Sequence, residues 1–279
     1  MFFRLTYNEI VKIMRKWRSL IGFGVLAILL PLIMWGFQKG ANGIEQDLTR
    51  GLQDSFYVVG SFFNGFIATY IVMNFLWVHI PFLITLVAGD VVAGEGSSGT
   101  FRITLIRPVS RSKILSAKLM ATFIYTLALV CFFAIMSLGL GTLWLGTGDL
   151  LVMQEGLLIL PPEIAWARFF ISFLLAFGVM MVVACLCFMF SSMVNNGIGP
   201  MIGAMAVIII GLAVSNIPLD IFDSIKPYLF TSYFDIWNKA FMDPIPWKEI
   251  GQDGIILSVY AGIFVLLSYW VFTRRDILT

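Results

Sequence analysis

The chain has little charge and little that reacts. Asp, Glu, Lys and Arg make up 12% of its 279 residues, and it has one His and three Cys. Soluble domains carry roughly a quarter charged residues, and so few charges cannot cover a water-facing surface of this size. A soluble globular fold is excluded. Three cysteines cannot build a disulfide scaffold, and one His cannot supply the paired ligands of a zinc hydrolase. No Gly-x-Ser-x-Gly elbow occurs, and no pair of acids lies within an apolar run, so hydrolysis by this chain alone has no candidate residues. What is abundant is apolar: 59% hydrophobic residues and a mean hydropathy of +0.94. That is the composition of a polytopic membrane protein.

An unpaired charge is costly in a bilayer core, so charge-free runs mark the spans. There are five: Ser19–Gln38, Ser55–Gly89, Leu119–Gly148, Phe169–Leu219 and Gly254–Thr273. The fourth holds 51 residues against the roughly 20 that one crossing needs. It divides at the polar, Gly-ended turn Ser191–Gly197. Six spans result, near 19–38, 56–89, 119–147, 169–190, 198–217 and 254–273. The second is long enough to project from the membrane as one helix, the favoured reading, or to begin with an interfacial or re-entrant piece. Pro81 offers a kink near its far end. Cys131, Cys185 and Cys187 fall inside spans and read as small packing residues.

Twelve of the 18 Lys and Arg lie on one side: Arg4, Lys12, Arg15, Lys16 and Arg18, then Arg102, Arg107, Arg111, Lys113 and Lys118, then Arg274 and Arg275. The positive-inside bias makes that side, with both termini, cytoplasmic. The first apolar run is too long for a typical signal-peptide core and reads as a retained helix.

Two segments outside the spans have patterns of their own. Over residues 3–18, Phe3, Tyr7, Ile10, Met14 and Trp17 form one helical stripe opposite Arg4, Lys12, Arg15 and Lys16. A basic amphipathic helix of this kind lies in the membrane interface, as an anchor or as a lever touching a partner. Residues 218–253 interleave aromatics with Pro218, Pro227, Pro244 and Pro246. They read as broken helices, an aromatic belt or a re-entrant cap over the outer mouth.

The loop 90–118 carries the sharpest signal. Gly94, Gly96 and Gly99 with Ser97 and Ser98 suggest a tight turn below the bilayer. Residues 100–106 fit either a strand or a helical turn. Pro108 ends that piece, and Ser110 stands where it can cap a helix running into the third span. Gly94–Phe101 has the glycine spacing of a phosphate-binding loop, but Thr100 stands where its Lys should be and Phe101 where its Ser or Thr should be. Nucleotide binding here is not expected.

The run Glu95-x3-Gly99-Thr100-x4-Leu105-x2-Pro108-Val109-Ser110-Arg111-x2-Ile114-x3-Lys118 resembles the coupling segment of ABC-2 type permeases, the membrane subunits of ATP-binding cassette exporters. Six spans, an amphipathic N-terminal helix, a large outer loop before the last span and the Arg274-Arg275-Asp276-Ile277 ending are also similar to that family. The resemblance implies one all-α transmembrane domain over 1–279 in the cell inner membrane. It implies two cytoplasmic ATPase subunits and a second copy or paralogue as partners, with lipids and without nucleic acid. ATP and magnesium would sit on the ATPase, so no cofactor, metal or catalytic residue is expected in this chain. The coupling residues would be Glu95, Gly99, Thr100, Arg102, Arg107, Pro108, Arg111 and Lys113, with Glu95 pairing to a partner Arg, to Arg102 or to Arg111.

In such permeases the second and fifth spans wall the pathway. Here they offer Asn64, Asn74, His79 and Asn216 among apolar residues, a wall suited to a lipid-like, amphipathic or drug-like cargo. Gly199 and Gly203 could allow a close helix contact at a dimer seam. An ion-coupled secondary transporter is the rival reading, with His79 as its one intramembrane titratable group. A non-transporting membrane partner of an ATPase is another.

Overall fold

The computed structural model describes residues 2–50, 63–99, 109–153 and 156–274. The chain is helical almost throughout, and among the described residues six helices are long and apolar enough to cross a membrane. Helix α1 spans Phe2–Met14 and α2 Trp17–Arg50. Then come α3, Gly65–Leu76, α4, Ile80–Ala88, and α5, Asp90–Ser97. Three long helices follow: α6 over Arg111–Leu145, α7 over Pro162–Met193 and α8 over Gly199–Asn216. After the short α9, Asp220–Asp223, the last span is α10, Trp247–Arg274. The expected polytopic, helical membrane fold is what forms.

α7 is the central helix. It packs on α4, α6, α8 and α10, and Phe169, Val179, Met180, Val183 and Cys187 along it are fully enclosed. α2, α8 and α10 lie at the periphery, and isoleucines such as Ile28, Ile202, Ile210 and Ile255 turn outward. In lipid such residues need no partner, because acyl chains are as apolar as they are.

The second span departs from the uninterrupted helix expected over 56–89, of which 56–62 lie outside the described residues. The chain turns at Trp77–His79 and restarts at Ile80. Pro81 is the cause. It has no N–H for the Trp77 carbonyl, and its ring crowds that same oxygen, so a helix can begin around it but not run through it. A second junction at Gly89 separates α4 from α5. There the Ser191 hydroxyl, from the end of α7, accepts from the Val92 and Ala93 amides (3.1 and 2.9 Å) and donates to the Gly89 carbonyl (2.7 Å). One side chain from another helix satisfies the backbone groups that the break leaves open.

Where α3 starts, its backbone rests on that of α6. A side chain on Gly65 would collide with the Gly141 backbone, and one on Gly141 would lie 2.8 Å from the Gly65 oxygen. Thr69 Oγ1 fastens the crossing, donating to Gly65 O (2.8 Å) and Ser137 O (3.0 Å).

Among the described residues, one short hairpin interrupts the helices. Leu150–Met153 and Leu157–Leu160 pair antiparallel, with Leu150 opposite Leu160 and Met153 opposite Leu157. The all-α architecture stands, with this hairpin as a short addition between α6 and α7. Two four-residue apolar runs around a short polar linker ending in Gly156 are a hairpin pattern.

The aromatic segment over 218–246, the cap, forms short broken helices before α10. It is built from 3-10 turns, Lys226–Tyr228 and Phe230–Phe241. A run of 12 residues is long for this helix type, which rarely exceeds three or four on its own. Tertiary bonds hold it. Trp77 Nε1 donates to Phe234 O (3.1 Å), Tyr70 Oη donates to Asn238 Oδ1 (3.0 Å), and Arg168 donates to Ala240 O (3.2 Å) and Met242 O (2.9 Å). Arg168 also pairs with Asp243 at 3.0 Å. α7 therefore starts at Pro162, seven residues before the expected span, because the charge of Arg168 is consumed by the cap.

Candidate functional site

At the end of the bundle opposite the cap, α1, α5, the start of α6 and the α7–α8 turn converge, and charged side chains are buried there. Lys118, fully enclosed on α6, bonds Glu9 Oε2 on α1 (2.8 Å), Glu95 Oε1 on α5 (2.7 Å) and the Val91 carbonyl (3.1 Å). Lys12 bridges the same two carboxylates from above, at 2.6 Å to Glu9 and 2.8 Å to Glu95. Two cations and two anions thus share one compact knot. Burial pushes the Lys12 ammonium down, but its hydrogen bonds to Glu9 and Glu95 outweigh that and hold it above the ordinary lysine value.

A second knot lies one turn away. The buried carboxylate of Asp90 takes Lys16 on Oδ2 (2.7 Å) and Arg18 on Oδ1 (3.0 Å). Gly94 and Gly197 make room for it: a side chain carbon at either would run into Asp90 Oδ1. Gly96 likewise faces Asn195 of the α7–α8 turn. The tight turn expected at Gly94 and Gly96 is corrected on this point. Both lie inside α5, where small size admits a neighbour, and the left-handed turn falls on Gly99 alone of the three, at φ +67°.

These knots dock α1 sideways. Thr6, Glu9 and Ile13 face the bundle, whereas Phe3, Tyr7, Met14 and Trp17, the apolar stripe, face out, with Phe3 86% and Trp17 83% exposed. The basic residues of 3–18 therefore divide: Arg4 and Arg15 remain outside, while Lys12 and Lys16 reach back to α5. α1 ends at Met14 and α2 takes up Trp17 and Arg18, a junction the single pattern over 3–18 did not mark.

Of the residues expected to couple to a partner, Glu95 is turned inward to Lys12 and Lys118. Gly99 ends the described part of the loop. Thr100, Arg102, Arg107 and Pro108 lie outside the described residues. Arg111 and Lys113 form the first turn of α6, with Lys113 exposed. Ser110 holds the cap position by its backbone, its carbonyl accepting from Lys113 N (3.0 Å), without its hydroxyl capping the helix. Glu9, Lys12, Lys16, Asp90 and Lys118 were not singled out as site residues. The signal was present: only Glu9, Asp90, Glu95 and Asp276 put acid on the strongly basic side of the chain, and the first three are the ones buried against cations.

The four residues expected to line a pathway separate. Asn64 is no wall residue. It is buried at the start of α3, its Oδ1 accepting from the Phe66 and Ile67 amides and its Nδ2 donating to Asp149 O (2.7 Å). Asn is among the preferred N-cap residues, and this is its reason here. Asn74, His79 and Asn216 are exposed. Each bonds a backbone carbonyl one turn back, those of Tyr70, Phe75 and Leu212. Phe75 stacks on His79 with ring centroids 5.8 Å apart. Gly199 and Gly203 meet only Val194 and Phe190 within the chain, at ordinary contact distance.

Residues 53–278 match a family described as "Protein of unknown function (DUF2705)". The chain is also similar to "Uncharacterized protein YhcI" of Bacillus subtilis (strain 168), at 27% identity over 199 residues. That alignment covers 69% of this chain and 63% of the relative, less than two thirds of its length. The family match takes in five of the six spans, the cap and the loop between α5 and α6, and the chain belongs to this family of unknown function.

Proposed function

We propose that the chain is the membrane permease of an ABC-2 type exporter, moving a substrate with energy from ATP hydrolysed on separate subunits. One observation carries the reading. The loop between α5 and α6 is the segment on which an ATPase would push, and both of its flanking helices are tied at its base to α1 by Glu9, Lys12, Glu95 and Lys118. A force on that loop would reach α1, α5 and α6 as one body. Through the short α4 and the break at Trp77–His79 it would then reach α3. A rigid stem below a broken span is a sensible way to turn a surface push into movement at membrane depth.

In this reading the stem is cytoplasmic with both termini, as the Lys and Arg bias requires, and the cap closes the outer side of a cell inner membrane. Two chains and two ATPases form the working unit. ATP and magnesium stay on the ATPase, and this chain catalyses nothing alone. The cargo is lipid-like, amphipathic or drug-like, because Asn74, His79 and Asn216 give an apolar surface only isolated hydrogen-bonding points.

The test is purification of the tagged protein from its native membranes in mild detergent, with ATP hydrolysis assayed. A stoichiometric ATPase should co-purify. Lys113→Glu, at an exposed position outside both knots, should lower its recovery or its turnover severalfold while the permease stays monodisperse. Recovery of the permease with no ATPase, under conditions that preserve its fold, would overturn the proposal.

A further inference from the structure

A groove of about 570 Å³ runs between α6, α7 and α10, and nothing in the proposed transport cycle uses it. Its walls are apolar, from Phe123 on α6 through Cys185 on α7 to Val265 on α10, with Ile236 of the cap at one end. Three of its lining residues are glycines on the facing helices, Gly178, Gly254 and Gly262, and a carbon added to any of them would meet nothing within 4 Å. These glycines therefore do not serve close helix packing, as Gly65 and Gly141 do. They keep a slot open.

The slot has the length of one leaflet. On α10 it extends from Gly254 to Val265 and on α7 from Leu174 to Cys185, in each case about 17 Å at 1.5 Å per residue. Half of a hydrocarbon core about 30 Å thick is about 15 Å. Its two ends differ. One turn beyond Val265, Tyr269 Oη and Ser116 Oγ meet at 2.6 Å and join α10 to α6, closing the end near the charged knots. At the cap end Gly254 is followed outward by Asp253, and Ile236 by Lys239, one 3-10 turn on. Lys239 Nζ lies 2.8 Å from Asp253 and 3.0 Å from Glu249. Burial lowers the Lys239 ammonium, but hydrogen bonds to Asp253 and Glu249 raise it further, so it stays charged. One cation beside two carboxylates complements a zwitterion, with a phosphate set against Lys239 and an ammonium against the outward-turned Glu249.

We propose that the groove holds one acyl chain of an ammonium-bearing zwitterionic phospholipid from the cap-end leaflet, with its headgroup on Lys239, Glu249 and Asp253. Such a lipid would wedge α6, α7 and α10 together as a fixed part of the protein. The inference stands apart from the transport reading and needs no ATPase.

The experiment is native mass spectrometry of the full chain purified from membranes that contain phosphatidylethanolamine and phosphatidylglycerol. The wild type should retain about one phosphatidylethanolamine per chain through detergent washing, in clear preference to phosphatidylglycerol. Gly178→Leu with Gly262→Leu, growing into the slot, should cut that retention at least tenfold. Glu249→Gln should erase the headgroup preference. Equal retention of both lipids by the wild type would overturn the proposal. So would unchanged retention in the double variant, and so would a change in its oligomeric state without a change in lipid, which would mean that a second copy fills the slot. A second measurement needs no variant. Wild-type protein reconstituted with diazirine-bearing phosphatidylethanolamine should crosslink to peptides of α6, α7 and α10, and labelling spread evenly over α2 and α8 would refute the site.

Discussion

Lys118 is the residue on which the stem depends. Removing one member of a buried ion pair leaves its partner charged and dry, which costs about 3–5 kcal/mol, whereas exchanging the whole set for apolar residues of similar size is often neutral. Lys118→Met should therefore destabilise the protein severely, because Glu9 and Glu95 would lose the fully enclosed cation between them, and Lys12, with its side chain 46% exposed, replaces it poorly. Adding Glu9→Gln and Glu95→Gln should recover most of the lost thermal stability in detergent. A triple variant no more stable than Lys118→Met would show that Lys118 contributes packing rather than charge. This residue also marks a limit of sequence reading. Lys118 counts towards the cation excess of its side of the chain whether it faces water or Glu9, and a one-dimensional charge count cannot distinguish the two. The acids carried more information than the bases, because an acid on a basic side is rare enough to need a reason.

At the scale of elements, spans were legible where the membrane sets the rule and illegible where neighbouring helices set it. Charge-free length located α6, α7, α8 and α10 to within about two turns, and the start of α2, which runs on past the expected end to Arg50. The early starts of α6, α7 and α10 come from charges that find partners: Lys118 with Glu9 and Glu95, Arg168 with the cap, and Asp253 with Lys239. The Gly94–Gly99 stretch looked like a turn because glycine permits one, yet Gly94 and Gly96 serve close approach inside a helix. Pro81 was visible as a break in the second span, but the second break, at Gly89, is held by Ser191, about a hundred residues away in sequence. The Gly65–Gly141 crossing tests how far close approach matters. Gly141→Leu should force α3 from α6, break the Thr69–Ser137 bond and lower the thermal midpoint by several degrees, while Gly139→Leu, at a position with open space, should change it little. Equal effects of the two would mean that α6 tolerates bulk along this stretch and that the crossing is not tight.

For the whole molecule the unresolved matter is what covers the face of α3 and α4. Asn74, Phe75, Val78 and His79 are exposed along it, Phe75 at 65%, among helices whose other exposed side chains are largely apolar. A carboxamide and an imidazole left in acyl chains forgo hydrogen bonds that water or a partner would supply. The outward isoleucines of α2 and α10 incur no such cost, so lipid suits those faces and suits this one poorly. A second copy related by a twofold axis would bring the same patch against itself, the self-complementary contact of symmetric dimers. It would also place the broken second spans of both chains side by side, so that a push on either stem would reach a shared wall. With Cys131 replaced by Ser, Phe75→Cys should give a dimer when native membranes are treated with a short bis-thiol crosslinker. Leu266→Cys, equally exposed on α10 at 70%, should not. Dimers from both positions would mean random collision in the membrane. Dimers from Leu266→Cys alone would move the seam to α10, leave the polar groups of α3 and α4 facing lipid or water, and separate the stem from any shared pathway.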